Sequence, residues 1–225
     1  MPDEVWAHPR LRMLVLAENA LTSVPERIGT LRHLHTLDLG HNRLTALPAA
    51  LGALTGLDRC LYLHDNRLAS LPDALGRLHR LRYLNVGENR LTALPAALGG
   101  LASLTELRAQ HNGLTALPNA LSALRSLREL WLRGNRLGGL PSSFTGLTQL
   151  REVELRENAL GCVPTALRGL PALRRLDLRG NALRSLPDWL AELPALEKLD
   201  LRWNPVEVPA ALLRALTGRG CVVLH

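Results

Sequence analysis

Few side chains in this sequence have the types and spacing that catalysis needs. Cys60 could act as a nucleophile with His64 as its base, because a thiol must lose its proton before it attacks. The chain has no phosphate-binding glycine loop, no Gly-x-Ser-x-Gly motif and no His-Glu-x-x-His motif. We therefore interpret Cys60 as a small exposed strand residue and predict that the protein is not an enzyme.

Histidines and aspartates suggest metal binding as a second chemistry. His41 and His64 lie near Asp38 and Asp65, and imidazole and carboxylate groups are common metal ligands. Scattered surface histidines explain the same residues more simply. We predict no metal site and no cofactor.

An internal repeat must position all of these residues. Asparagine marks nine turns, which are 23 residues apart except for one step of 24 between Asn42 and Asn66. A typical unit, from Leu34 to Pro48, reads Leu-x-x-Leu-x-Leu-x-x-Asn-x-Leu-x-x-Leu-Pro. The nine asparagines are Asn19, Asn42, Asn66, Asn89, Asn112, Asn135, Asn158, Asn181 and Asn204.

This pattern resembles the leucine-rich-repeat family, and the resemblance covers the whole chain. The Leu-Pro form with 23 residues is similar to the intracellular Ras-group type, which occurs in signalling scaffolds and in many bacterial proteins. The resemblance implies an α/β solenoid, a leucine-rich-repeat horseshoe with a parallel β-sheet on its concave face and short 3₁₀ or helical segments on its convex face. It also implies that a protein or peptide binds the concave face.

Elementary geometry favours the same architecture. In the Leu-x-Leu step both leucines point to one face of a strand and the middle residue points to the other. Strands of about three to five residues cannot bury a face alone, so we expect them to stack in parallel, about 4.8 Å apart. The proline that follows, such as Pro95, suits a return segment outside any ladder, and the short segment after it suits a 3₁₀ turn.

The recurring asparagine is expected to lie buried in the turn after each strand. Its amide can donate to and accept from neighbouring backbone groups that a tight turn leaves unpaired. Aspartate could not supply the donors, which explains why asparagine recurs.

We assign residues 1–225 to a single domain with a partial repeat at the N-terminus. The segment from Pro2 to Leu11 has the spacing of the middle of a unit, so the chain begins inside a repeat. Solenoids need polar caps at their ends. Either Trp6 and His8 form a minimal cap, or the natural chain starts earlier.

The period breaks near the C-terminus, where we interpret residues 205–225 as a cap. Pro209 arrives one residue early, and Leu212 and Leu216 suit a short helix. Gly218 suits a turn, and residues 221–224 suit a last strand.

Charge suggests nucleic acid as a partner, but composition gives another explanation. The formal net charge is +7, and of 27 basic residues only Lys198 is a lysine. Arginine together with many alanines is typical of a genome rich in G and C. We therefore expect no nucleic-acid partner, although binding through the arginines stays as an alternative.

The outward strand positions carry the information about function, because the core does not dictate them. We define the central column as the residues between the two leucines: Val15, Asp38, Tyr62, Asn85, Arg108, Trp131, Glu154, Asp177 and Asp200. We define the arginine column, two residues later in the last four units, as Arg133, Arg156, Arg179 and Arg202. The N-terminal half of this face is weakly charged, whereas the C-terminal half alternates acids and arginines.

Stacked arginines repel one another, and the acid two residues earlier is expected to offset this repulsion. The predicted pairs are Glu154 with Arg156, Asp177 with Arg179, and Asp200 with Arg202. One interpretation is a self-neutralised lattice that keeps the surface soluble. The other is a charged docking strip beside aromatic anchors.

Trp131 favours the docking strip, because a tryptophan at an outward position has no role in the core. Tryptophan, tyrosine and arginine dominate binding hot spots. Trp203 either joins this surface or packs on the C-terminal cap, and Trp189 has a structural place on the convex side. The predicted partner-binding residues are Tyr62, Tyr83, Arg108, Trp131, Arg133, Arg156, Arg179 and Arg202.

We predict a protein-binding scaffold or adaptor, monomeric and bacterial. An alternative is a regulatory or effector subunit whose activity lies on another chain or on a missing segment. Residues 1–10 lack the apolar core of a signal peptide, and no apolar stretch is long enough to span a membrane. The odd number of cysteines, without metal or redox spacing, also fits a reducing cytoplasm.

Overall fold

The computed structural model describes Val5, His8 and residues 10–225. The predicted N-terminal cap residue Trp6 lies outside the described residues. Ten short parallel strands form one open sheet in which every strand pairs with its neighbours in chain order. This is the predicted solenoid, with the sheet along the concave face and the return segments along the convex face.

Every strand in the sheet has three residues. The strands are β1 Met13–Val15, β2 Thr36–Asp38, β3 Cys60–Tyr62, β4 Tyr83–Asn85, β5 Glu106–Arg108, β6 Glu129–Trp131, β7 Glu152–Glu154, β8 Arg175–Asp177, β9 Lys198–Asp200 and β10 Val222–Leu224. The middle residue of each of the first nine strands faces the core, as Leu107 does at 1% exposure.

The convex side consists of 3₁₀ segments, each directly preceded by a proline. They span Glu26–Thr30, Ala49–Ala53, Asp73–Arg77, Ala96–Gly100, Asn119–Ala123, Ser142–Gly146, Thr165–Leu167 and Asp188–Glu192. The proline is in an extended conformation, for example Pro95 with φ −67° and ψ 141°. Because proline lacks an N–H, it fits the position where the chain leaves the sheet.

One continuous core runs through the stack from Leu14 to Cys221 and consists almost entirely of leucine. Phe144 fills the place of a convex leucine and is 1% exposed. Trp189, on the last convex segment, is 8% exposed, which agrees with its predicted structural place.

The asparagines connect each unit to the one before it. Asn66 Nδ2 donates to Leu39 O of the preceding unit at 2.9 Å and to Leu63 O of its own unit at 3.1 Å. Its Oδ1 accepts from Leu44 N of the preceding unit at 2.9 Å. The amide thus uses both its donors and its acceptor on backbone groups, and the same pattern recurs from Asn42 to Asn204.

The first asparagine differs from the expectation of burial. Asn19 is exposed and donates to Leu16 O and Ala17 O of its own turn. Burial is confirmed for Asn42, Asn66, Asn135 and Asn181, whereas Asn89, Asn112, Asn158 and Asn204 are only partly buried.

A left-handed residue precedes every one of the nine asparagines. These residues are Glu18, His41, Asp65, Glu88, His111, Gly134, Glu157, Gly180 and Trp203. Glycine adopts this conformation freely, whereas a bulky residue such as Trp203, with φ 62°, is strained in it.

The C-terminal helix and last strand lie where the sequence predicts them. Helix α1 spans Ala210–Thr217, with Leu212 and Leu216 buried against the last unit. The guanidinium of Arg219 donates to the carbonyl oxygens of Ala191 and Leu193 on the last convex segment. Strand β10 then pairs with β9 and leaves Val222 at 54% exposure.

Candidate functional site

The sheet places the central column in unbroken register across nine strands. Arg108 is paired with Trp131, Trp131 with Glu154, and Glu154 with Asp177. Residues that are 23 positions apart in the sequence therefore lie side by side on the concave face. The nine members of the column are the ones that the repeat period predicts.

An aromatic row crosses the middle of this face from β3 to β6. The rings of Tyr62 and Tyr83 have centroids 5.1 Å apart. The guanidinium carbon of Arg108 lies 5.8 Å from the Tyr83 ring centroid and 4.9 Å from that of Trp131. The structure thus brings four predicted binding residues into one continuous contact chain, and none of the four is fully exposed.

The row continues towards the N-terminus through two histidines. The His41 and His64 ring centroids are 4.7 Å apart, and His64 lies 6.0 Å from Tyr62. His41 Nδ1 is 2.7 Å from Asp65 Oδ2, and this hydrogen bond raises the pKa of His41. Burial, with the charge of His41, lowers the pKa of His64. His41 is therefore more readily protonated than His64.

Cys60 corrects one expectation, since the structure places it half-buried and not exposed. A hydrogen bond with Cys60, together with burial, raises the pKa of Tyr62 to about 12. The Cys60 thiol therefore lies beside the Tyr62 side chain. Within the described part of the chain, no three His, Cys, Asp or Glu side chains form a group that could hold a metal ion.

The C-terminal half of the face is an ion-pair lattice. Asp177 accepts from Arg179 Nε at 2.9 Å, and Asp200 Oδ2 accepts from Arg202 Nη2 at 2.7 Å. Arg179 Nε also lies 3.4 Å from Asp200 Oδ2. Burial would raise the pKa of Asp200, which is 2% exposed, but hydrogen bonds from Arg202 and the charge of Arg179 hold its pKa below the ordinary value.

The third predicted pair, Glu154 with Arg156, is wrong. Arg156 pairs with Glu157, with an Nη2–Oε1 distance of 2.9 Å. The other oxygen of Glu157 accepts from Arg133 Nε at 3.0 Å. Glu157 occupies the left-handed position before the asparagine, and from there it bridges two arginines of neighbouring units.

Glu154 is left without a cation of its own. Its side chain makes no hydrogen bond or ion pair with any described residue. Burial, and then the charge of Asp177, raises the pKa of Glu154 and outweighs the opposing charges of Arg133, Arg156 and Arg179. The carboxylate lies in a depression of about 240 Å³, which Trp131 and Asp177 also line.

Trp203 joins the concave face and does not pack on the C-terminal cap. It is 67% exposed, and its ring centroid lies 5.8 Å from the guanidinium carbons of Arg156, Arg179 and Arg202. Sequence reasoning left Trp203 undecided and missed Glu157. Both precede a repeat asparagine, and that shared position is the signal that could have found them.

Comparison with known families identifies the chain. Models described as "Leucine rich repeat" match residues 59–114, 125–183 and 162–206, and one described as "Leucine Rich repeats (2 copies)" matches residues 9–52. The chain therefore belongs to the leucine-rich-repeat family. No curated protein matches it significantly.

Solved structures show the same architecture. A leucine-rich-repeat protein of Leptospira interrogans is 31% identical with a TM-score of 0.89, over 99% of this chain and 56% of that one. An internalin of Listeria monocytogenes is 20% identical with a TM-score of 0.84, over 99% and 63%. The plant peptide hormone receptor RGFR1, in complex with RGF2, is 27% identical with a TM-score of 0.76, over 100% and 41%.

This chain thus spans about two fifths to two thirds of the length of these three relatives. Among the residues that the structure describes, no helix is long and apolar enough to cross a membrane.

Proposed function

We propose that this chain binds a protein or peptide on its concave face and acts as a scaffold or adaptor, not as an enzyme. The observation that carries the proposal is the contact chain Tyr62–Tyr83–Arg108–Trp131, which follows neighbouring strands across the middle of the sheet. These are the residue types that contribute most to binding hot spots. The buried core positions of these strands are the leucines between them, so core packing does not explain the outward side chains.

Preorganisation supports the proposal. Arg108 holds Trp131 from one side, and Trp131 Nε1 donates to Glu129 Oε2 at 3.3 Å. A side chain that is already fixed loses little entropy when a partner covers it. Trp131 therefore offers apolar area to a ligand at low entropic cost.

Two relatives give the proposal context. One is the plant receptor solved in complex with RGF2, and another is the leucine-rich-repeat protein FLRT2 solved in a complex with latrophilin 3 and Unc5D. The FLRT2 structure is 26% identical with a TM-score of 0.80. By analogy with them, we infer a macromolecular ligand for this chain; fold alone does not establish it.

The arrangement of the arginines counts against nucleic acid. Arg156, Arg179 and Arg202 each have a carboxylate partner within 2.9 Å. Phosphate binding gains most of its free energy from cations that are free to replace counterions. An arginine column paired with acids lacks that advantage.

The test is affinity isolation from the source organism, followed by titration of the purified partner. Wild type, Trp131→Ala and the convex variant Arg77→Ala are compared. We expect a partner that binds wild type and Arg77→Ala alike and loses affinity for Trp131→Ala. Binding that survives Trp131→Ala and is abolished by Arg77→Ala would place the functional surface elsewhere. Light scattering of the purified chain tests the predicted monomer, and fractionation of source cells tests the predicted cytoplasmic location.

A further inference from the structure

A depression lies beside Trp131 on the concave surface. It has a volume of about 240 Å³ and extends over strands β6 to β9. Besides Trp131 and two aliphatic strand residues, its lining consists of charged side chains, four carboxylates and three cations. The carboxylates are thus in excess by one.

One carboxylate of the lining has no ion pair. Glu152 pairs with Arg175 at 3.1 Å, and Asp177 and Asp200 are both held by Arg179. Glu154 has no such pair among the described residues, and the lining cation Lys198, which is also unpaired, lies two strands away on β9. It is half-buried between Trp131 on one neighbouring strand and Asp177 on the other.

The reason for the unpaired charge is the bridge made by Glu157. Glu157 forms the ion pairs with Arg133 and Arg156, whose charges still act on Glu154 but which make no ion pair with it. Arg179, the cation on the other side, is committed to Asp177 through a bidentate contact. The lattice therefore leaves one carboxylate open towards the depression, and burial with Asp177 raises its pKa. A carboxylate in that state gains from a cation that arrives from outside.

The second component is the indole of Trp131. An aromatic face attracts a cation within about 6 Å of its centroid, and tryptophan does so best. This ring already has the Arg108 guanidinium 4.9 Å away, so the chain itself uses it as a cation acceptor. A methylene stem could lie along the ring while the charged end reaches a carboxylate.

We propose that the depression is a pocket for one cationic side chain, lysine or arginine, of a bound peptide, with Glu154 as its counter-ion and Trp131 as its wall. The proposal rests on the proposed function, since it names the ligand chemistry of the same surface. Glu154 is the specificity-determining residue, because its negative charge attracts the cation. Glu154→Gln keeps the shape of the side chain and removes that charge.

The experiment uses the full chain and a displayed library of random dodecapeptides. We expect enriched peptides to share one lysine or arginine. One enriched peptide is synthesised with that residue and with norleucine in its place. Both peptides are titrated against wild type, Glu154→Gln and the convex control Glu192→Gln.

We expect the norleucine substitution in the peptide and Glu154→Gln in the protein to be coupled. Norleucine lowers affinity for wild type by about tenfold or more, Glu154→Gln lowers affinity for the cationic peptide by a similar factor, and the two changes together cost no more than either alone. Glu192→Gln leaves both affinities unchanged. Additive effects of norleucine and Glu154→Gln, or enriched peptides without a common cation, would overturn the pocket.

The remaining outcomes separate this inference from the proposed function. Peptides that lose affinity for Trp131→Ala but show no coupling with Glu154 contradict the pocket and leave concave binding in place. Peptides that are insensitive to Trp131→Ala contradict the pocket as well. The partner isolated from the source organism then decides independently whether the concave face binds at all.

Discussion

The guanidinium carbon of Arg108 lies 4.9 Å from the ring centroid of Trp131, and the two residues are directly paired on strands β5 and β6. The contact links the weakly charged N-terminal half of the concave face to its charged C-terminal half. Towards the N-terminus Arg108 also lies over Tyr83, and towards the C-terminus Trp131 borders the depression that contains Glu154. A ligand seated on Trp131 therefore touches both halves of the face.

Replacing Trp131 with alanine is expected to weaken binding of a genuine partner by about 2 kcal/mol, the scale of a hot-spot residue. The loss arises because alanine removes the largest apolar area at the centre of the contact chain. Titration of the purified partner by calorimetry measures it.

Arginine variants provide the matched comparison. Arg156→Ala and Arg179→Ala should act less than Trp131→Ala, and mainly through association rate and salt dependence, because charges near an interface steer a partner more than they hold it. Arg77→Ala, on an exposed convex segment, should leave affinity unchanged. Equal losses for all four variants would contradict a concave site.

Asn112→Ala is expected to lower the free energy of unfolding by about 1–3 kcal/mol, because it leaves partly buried backbone groups without partners. Asn112 Oδ1 accepts from Leu91 N at 2.9 Å, and its Nδ2 donates to Val86 O at 3.0 Å. Urea unfolding followed by circular dichroism measures the change.

Two further variants test the reason given. Asn112→Asp keeps the acceptor and loses the donors, so it should also destabilise the protein. Asn119→Ala, at an exposed position of a convex segment, should not. A urea unfolding curve of Asn112→Ala that superimposes on that of wild type would refute the stabilising role of the repeat asparagines.

The strand register followed from the sequence because the period allows only one alignment. A repeat of 23 residues with one insertion before Leu61 fixes which residues become neighbours, and the observed pair Asp38 with Tyr62 spans that insertion. Polar and apolar positions within a unit then decide which side chains face the core. Fold and central column could therefore be predicted without coordinates.

Side-chain partners could not be read from the period in the same way. The spacing of two residues applies equally to Glu154 with Arg156 and to Asp177 with Arg179, yet only the second pair forms. The difference arises from Glu157, which takes Arg156 as its partner. In the next unit the equivalent position is Gly180, which has no side chain that could compete for Arg179. Glu157, which lies outside the strand, therefore determines which acid Arg156 pairs with.

The three cysteines should be free thiols that react at different rates. All three are unpaired in the structure, with Cys162 exposed, Cys60 half-buried and Cys221 buried. Burial also raises the pKa of the Cys221 thiol, which lowers its thiolate fraction near neutral pH. Labelling with iodoacetamide, followed by mass spectrometry, should modify Cys162 first and Cys221 last. An intramolecular disulfide between any two of them would contradict the stacking of the units.

Asp200→Asn is expected to destabilise the protein at pH 7 by about 1–3 kcal/mol, the scale for a hydrogen bond to a charged group. Asp200 is 2% exposed and accepts from Arg202, while Arg179 lies 3.4 Å from it. Asparagine keeps the size of the side chain and removes the charge that both arginines face.

The pH dependence of this loss tests its electrostatic origin. Burial opposes ionisation of Asp200, but its hydrogen bonds with Arg202 and the charge of Arg179 outweigh burial, so its folded pKa lies below the ordinary value. An acid with a lowered folded pKa contributes stability that is complete above its unfolded pKa, about 3.9, and is lost as the pH falls through the folded value. The stability difference between wild type and Asp200→Asn should therefore be full at pH 7 and shrink as the pH falls below about 4. Asp73→Asn, at an exposed position of a convex segment, provides the control and should unfold like wild type both at pH 7 and below about pH 4. Urea unfolding at each pH measures the differences, and a difference that stays constant on acidification would mean that packing, and not charge, accounts for the role of Asp200.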